Sequence, residues 1–544
     1  MLEALDRFRI FFGARPLFLT LAVLALLVIV GRVSGRLGGR SPFPASQLRW
    51  SRFATQAIGI AGAIGLLAYA ATMVWYAAEP HFFDYAEPSL IAIGWLFHLG
   101  QPLYHLPDSP ERYSHIYGPI AFMVHGYALG AFGAAILVSK AISAAAAAGG
   151  MLCTFAALRR HARAPWALAL CGVVALVLMA FKNFSYWTRP EPFQLLAVGA
   201  SLLLAARGRG VVAAAGVGLA SGVLWNLKIT GPLYSLPVFV LLYERSGWRA
   251  CATAFAVGVS TAALPFLLFA NVSLTNYLYW FGLSANTGLL LSTLKQNLEW
   301  AVYFGLPVLI SYYAVLADKR VAGGSWRWLV IALVIGVAGL TIAAAKPGAG
   351  PYHLMPFLPV IAYVVAWQTS GFTSGDPIDP LAPRAAIAFV AAACVIALAQ
   401  QANFVTIMSE RRARHESEDI ARFARSHDGI VEMAYGASEA LSLERPLLVF
   451  RNNAYLIDQP AVREHQLAGV EVPRATIDAI GRCRVHYWLV PKGEAPFAGR
   501  NFYAAVFLKP LFPDDLRRTF LERHTRVGET AYFDVWQCRP ASAP

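Results

Sequence analysis

Apolar residues dominate the first three quarters of the chain in runs covering roughly 17–31, 53–77, 139–158, 166–181, 193–206, 211–226, 232–243, 251–270, 300–317, 328–345, 352–368 and 384–404. A helix needs about 20 apolar residues to cross a bilayer, and fewer where it is packed inside protein, so these runs predict a bundle of about 12–13 spans. The pattern changes near residue 405. Short apolar runs (GIVEMAYG, PLLVFRNN, VHYWLVP, YFDVWQC) then alternate with polar helical stretches at 411–425 and 514–523. The expected fold is mainly α: a polytopic transmembrane helix bundle over 1–408, followed by a soluble α/β domain over 409–544.

Charge in the loops sets the orientation. The 32–52 loop carries Arg32, Arg36, Arg40, Arg49 and Arg52 and no acid, which places it in the cytoplasm. Arg159, Arg160 and Arg163, then Arg207 and Arg209, Arg245 and Arg249, and Lys319, Arg320 and Arg327 fall on the same side if 119–137 does not cross. That stretch holds His125 and four Gly or Pro residues, and it reads as a juxtamembrane or re-entrant helix. The alternative is that it spans and another run does not. The first run follows Arg7, Arg9 and Arg15 without a small-residue cleavage site, and reads as an uncleaved span with residue 1 outside. The remaining loops, 78–118, 182–192, 227–231, 271–299 and 346–351, lie on the far side with the soluble domain.

Composition agrees with this picture. Of 544 residues, 57% are hydrophobic and only 14% charged, against about 25% charged in soluble domains. An ordinary cytosolic enzyme, a disordered protein and a collagen-like fibre are excluded. The net charge of +14 invites a nucleic-acid reading, but residues 1–408 hold 26 basic and 13 acidic groups while 409–544 hold 19 and 18. The excess belongs to membrane loops, and no nucleic acid is expected. Cys483 and Cys538 sit in the outer domain, either as a disulfide or as two separate thiols. Cys153, Cys171, Cys251 and Cys394 lie within spans and read as small apolar residues. Asn271 and Ser273 fit a glycosylation triplet that is common by chance.

The span interiors hold almost no charge, so chemistry is expected at one membrane face. The densest outer loop contains Asp84 and Glu87, three residues apart and on one face if helical. Such a carboxylate at the membrane edge suits a general base. A helix cap and a divalent-cation site anchored by the pair are the competing readings; no cofactor is otherwise indicated. Further outer loops bring Lys182, Arg189 and Glu191, then Asn226 and Lys228, Lys295, and Lys346 with His353. Each alone reads as an interface anchor. Together, opposite carboxylates, they suit a lipid-linked phosphate. Tyr76, Tyr85, Trp95, Tyr186, Trp187, Tyr277, Tyr279, Trp280 and Tyr352 form either an aromatic belt or a sugar-stacking lining.

The order of these features resembles the GT-C superfamily of polytopic glycosyltransferases, such as aminoarabinose transferases and protein O-mannosyltransferases. FFDYAEP follows an early span in a long outer loop. Gly100, Pro102, Leu103 and Tyr104 come next, then Tyr117, Gly118 and Pro119, a juxtamembrane helix, a span ending in two arginines and a soluble outer domain. The resemblance implies Asp84 as catalytic base, with Glu87 as the alternative. It implies Lys346 and His353 at the donor phosphate; the reading of the loops adds Lys182, Arg189, Glu191, Lys228, Tyr117 and Tyr352 as donor-phosphate or substrate-binding candidates. The expected activity is inverting transfer of a hexosyl or pentosyl group from a polyprenyl-phosphate sugar to a glycan or lipid acceptor, at the outer face of a bacterial-type inner membrane. A lipid or polysaccharide transporter and an O-antigen ligase or polymerase are the alternatives. A transporter would carry more polar residues through the spans, and a ligase more spans after its large outer loop.

Overall fold

The computed structural model describes residues 15–37, 43–315, 326–370, 381–437, 439–501 and 509–539. Arg7, Arg9, Arg40, Asp318, Lys319, Arg320, Asp376 and Asp379 lie outside this set. Each apolar run is helical over most of its described residues. The bundle consists of α1 (Pro16–Leu37), α2 (Phe43–Ala78), α3 (Glu87–His98), α4 (Pro119–Phe132), α5 (Ile136–Leu158), α6 (Ala164–Met179), α7 (Pro190–Arg207), α8 (Gly210–Leu227), α9 (Gly231–Leu268), α10 (Leu274–Leu283), α11 (Leu291–Val315), α12 (Trp326–Ala343), α13 (Leu358–Gln368) and α14 (Leu381–Arg412).

Seven helices among the described residues are long and apolar enough to cross a membrane. One of them, α9, is two helices joined at Gly247, whose φ of 77° needs a residue without Cβ. Of the shorter apolar helices, α6 packs inside the bundle, where Ala175, Val177 and Leu178 are buried. Small residues let these helices approach closely, as in other membrane bundles. A Cβ on Gly172 of α6 would stand 2.0 Å from the Gly62 carbonyl oxygen of α2.

The basic connections gather at one end. Arg160 donates to the Ala206 carbonyl and Arg245 to the Ala205 carbonyl, both at 2.6 Å, and the His161 ring lies 3.0 Å from the Tyr363 hydroxyl. The long loop 79–118, the 3-10 turn Pro351–Phe357 and the soluble domain gather at the other end. The start of α1 lies there as well, because the Leu17 N–H reaches Glu299 near the beginning of α11. Helix α4 has 14 residues, about 21 Å of helix, too short for a hydrocarbon core of about 30 Å. It lies along α3 instead.

The soluble domain contains α15 (Glu416–Ser426), α16 (Pro446–Asn452), α17 (Gln459–Leu467), α18 (Arg474–Gly481) and α19 (Asp514–Arg523), with strands β1 (Val431–Met433), β2 (Tyr487–Pro491), β3 (His524–Glu529) and β4 (Phe533–Cys538). The sheet order is β1-β2-β4-β3. The β1–β2 pair is parallel and the others antiparallel. Ile420, Val431, Trp488, Leu489, Phe497 and Phe520 fill its core. Of the two readings for the outer cysteines, the structure has the disulfide: Cys483 and Cys538 are joined, with Cα atoms 5.7 Å apart, inside the usual range.

Candidate active site

The site begins where α2 ends. The last carbonyls of a helix have no partner within it, and here a buried cation from α5 supplies one. Lys140 Nζ donates to the carbonyls of Tyr76 at 3.2 Å, Glu79 at 2.9 Å and His81. The chain then turns into α3 around Glu87. Like the carboxylate of a capping box, Glu87 reaches back, and its Oε2 accepts from the N–H groups of Phe83 and Asp84, both at 3.0 Å. Its Oε1 accepts from the Tyr76 hydroxyl, and from the Thr188 N–H at 3.2 Å and hydroxyl at 3.0 Å. Glu87 is fully enclosed.

Asp84 stands at the tip of this turn. Its Oδ1 accepts from the Ala86 N–H at 3.0 Å and from Arg189 Nη1 at 3.2 Å. Its Oδ2 has no hydrogen-bond partner among the described residues, and the side chain is 18% exposed. Burial raises the carboxyl above its ordinary value, and the Arg189 charge opposes that rise.

Arg189 precedes α7 in extended conformation. Its guanidinium lies 4.1 Å from the centre of the Trp187 ring and donates to the Tyr117 hydroxyl at 2.7 Å. In the first turn of α7, Glu191 accepts from Trp187 Nε1 at 2.9 Å and from Lys228 Nζ at 2.5 Å. Lys228 caps the C-terminal end of α8, and its Nζ is 3.5 Å from His353 Nδ1. Burial pulls the Lys228 ammonium down to about 8, against Glu191, which raises it. Tyr117 reaches this group because the next residue is a glycine. A Cβ on Gly118 would stand 1.3 Å from the Asn226 carbonyl oxygen, so no other residue permits this approach of loop to helix. Asn226 Oδ1 then accepts the Ile120 N–H at 2.8 Å, at the start of α4.

Of these side chains, Tyr117, Arg189, Lys228 and His353 reach the floor of a cavity of about 1160 Å³, a volume that includes its mouth. Tyr117, Arg189, Lys228, Lys346, Tyr352 and His353 line it. Its roof is α17 of the soluble domain, through Pro460, Arg463, Glu464 and His465. The domain is held there by a buried polar cluster. Asp458 accepts from Arg445 Nη2 at 2.9 Å and from Ser89 of α3 at 2.9 Å, lies 2.8 Å from His115 Nε2, and caps α17 through the Ala461 N–H at 3.1 Å.

The cavity thus brings together six of the residues expected from sequence. Asp84 and Glu191 each join that group by hydrogen bonds from its cations. Two do not line it. Glu87 is sealed behind Asp84, and Lys182, with φ of 56°, sits in the turn after α6, where its carbonyl accepts from Gln401. The Asp84–Glu87 pair does not fit a divalent cation, because N–H and O–H donors already converge on both Glu87 oxygens. Among the described residues, the one group of His, Cys and carboxylates with ligand spacing is Cys483, His524 and Cys538, where both sulfurs are committed to the disulfide. Sequence reasoning missed the contribution of α17, since a charged helix in a charged domain carries no local signal of what it faces.

No family model and no curated protein matches the chain. Among solved structures it is similar to ArnT from Cupriavidus metallidurans bound to undecaprenyl phosphate, with 12% identity, TM-score 0.49, and coverage of 89% of this chain and 98% of that one. It is also similar to the Archaeoglobus fulgidus oligosaccharyltransferase tethered to an acceptor peptide, with 12% identity, TM-score 0.44, and coverage of 89% and 74%.

Proposed function

We propose that the chain is an inverting glycosyltransferase that moves a sugar from a polyprenyl-phosphate donor to an envelope acceptor at the outer face of the inner membrane. One observation carries this reading. Asp84, with an oxygen free, is bonded to a guanidinium that lines the same cavity as Lys228 and Lys346, at the end of the bundle opposite the basic loops.

Asp84 Oδ2 takes the proton of the acceptor hydroxyl as its oxygen attacks the anomeric carbon. The bond from that carbon to the phosphate oxygen breaks, and the lipid phosphate leaves with the electron pair. A phosphate monoester dianion needs no proton to leave. Arg189, Lys228 and Lys346 stabilise its growing charge in a site already arranged for it. The Glu191 carboxylate holds Lys228 in place and keeps the empty floor from carrying an unbalanced charge. Lipid access from the bilayer and acceptor access from water meet at this level, which gives proximity. The direct test uses membranes containing the purified chain, undecaprenyl-phosphate sugars and envelope glycan acceptors. Transfer to the acceptor with inverted anomeric configuration supports the reading. Wild-type protein that binds no undecaprenyl phosphate removes it.

A further inference from the structure

Among the described residues, Glu464 is the one carboxylate on the cavity wall. It comes from the soluble domain, whereas the cations of the floor come from the bundle. Its Oε2 is 3.1 Å from His115 Nδ1, while the other nitrogen of that ring is 2.8 Å from Asp458 Oδ2. An imidazole between two carboxylates serves both as donor only when it is protonated at both nitrogens. Burial disfavours that charge, but Glu464 and Asp458 outweigh it and push the group up to about 9. With Arg445 on Asp458, the cluster holds two cations and two anions and is neutral as a whole.

The consequence for Glu464 is a fixed side chain with one oxygen spent and one available. Oε1 has no hydrogen-bond partner among the described residues, and the side chain is 28% exposed, toward the cavity. Helix α17 is pinned at both ends. Asp458 caps its start, and near its end His465 stacks on Trp280 at 4.1 Å and meets the Ser114 carbonyl at 2.9 Å. A fixed carboxylate oxygen is a pure acceptor. Set across a cavity from phosphate-binding cations, it matches a group that offers hydroxyls.

We infer that Glu464, held by His115, is the sugar-reading residue of this cavity: it accepts a hydrogen bond from a hydroxyl of the sugar ring bound between α17 and the Arg189–Lys228 floor. This rests on the glycosyl-transfer reading and deepens it. The soluble domain then selects the substrate rather than only covering it. The ring belongs either to the donor or to the acceptor, and the two sources separate experimentally.

The test compares wild type, Glu464→Gln and Glu464→Ala in detergent micelles. Affinity is measured for bare undecaprenyl phosphate and for undecaprenyl phosphates carrying a hexose, a pentose or a uronic acid, together with the acceptor KM. A hydrogen bond to a charged group is worth on the order of ten- to a hundredfold. If the ring is the donor's, both variants lose about that factor for the preferred sugar-linked lipid and keep wild-type affinity for the bare one. If it is the acceptor's, both lipids bind as in wild type and the acceptor KM rises instead. Glu464→Gln keeps the side chain's shape, so it guards against misfolding of the alanine variant. Unchanged sugar preference and unchanged acceptor KM in both variants, with wild-type melting curves, overturn the inference while leaving the glycosyl-transfer reading intact. A wild type that binds neither lipid overturns both.

Discussion

Arg189 bonds Asp84 through one guanidinium nitrogen, at 3.2 Å, and Tyr117 through the other, at 2.7 Å. One side chain therefore ties the proposed base to the wall that would hold the leaving group.

Asp84→Asn keeps the turn but removes the proton acceptor. Turnover is expected to fall by about 10²–10⁴, with undecaprenyl-phosphate affinity and melting temperature near wild type. Single-turnover assays beside lipid-binding measurements check this. Undiminished turnover would remove Asp84 from its role.

The same carboxylate sets an acid limb. It acts only when ionised, so kcat/KM rises with pH, and its raised pKa places the midpoint above that of an ordinary aspartate. Arg189 opposes the rise, so Arg189→Met should move the midpoint to still higher pH as well as weaken donor binding. A pH–rate profile of the variant reads the shift. Movement of the limb to lower pH contradicts the assignment.

In its proposed role Lys228 acts while protonated, and burial pulls its pKa down to about 8. Affinity for undecaprenyl phosphate should therefore decline as pH rises through about 8. Lys228→Met should abolish that decline and destabilise the fold, since Glu191 is left buried without its partner at a cost of about 3–5 kcal/mol. The double variant Lys228→Met with Glu191→Gln should recover much of the stability and none of the affinity. Calorimetry and lipid titration separate the two effects.

In the proposed mechanism Glu87 presents Asp84 rather than reacting. Glu87→Gln sets an NH₂ group against the N–H donors it now receives, an unsatisfied arrangement costing about 1–3 kcal/mol. kcat should fall while bare-lipid affinity stays within a few-fold. An equal loss of both would mean that Glu87 touches the lipid.

The disulfide closes a loop with a sequence separation of 55, for which chain-entropy reasoning gives about 4 kcal/mol. Cys483→Ser with Cys538→Ser should lower the melting temperature of the soluble domain, and dithiothreitol should lower wild type alike. The bundle, which contains only the unpaired cysteines, should melt unchanged.

Much of this was legible in sequence because hydrophobic runs and loop charge act locally. The twelve runs became helices for most of their length, and 119–137 gave a helix, α4, of 14 residues. The cations Arg189, Lys228 and Lys346 stood out because basic groups are unexpected on the face that loop charge predicts to be the outer one. What stayed hidden depends on distant pairs. Glu87 meets Thr188 across 101 positions, and His115 meets Glu464 across 349. From spacing alone Asp84 and Glu87 look equivalent. Only the tertiary donors around Glu87, Tyr76 and Thr188 among them, turn one into a sealed support and leave the other open. The α17 roof gave no warning either, since Glu464 is one acid among many in a charge-rich domain.

The order of synthesis adds a last consequence of that roof. A ribosome that has delivered residue 353 has made every floor cation, yet Asp458, Glu464 and His465 are still about a hundred codons away. Until that stretch is made and α17 docks on His115 and Ser89, the nascent protein owns half a cleft, and the cavity closes only when a segment distant in the chain returns to it.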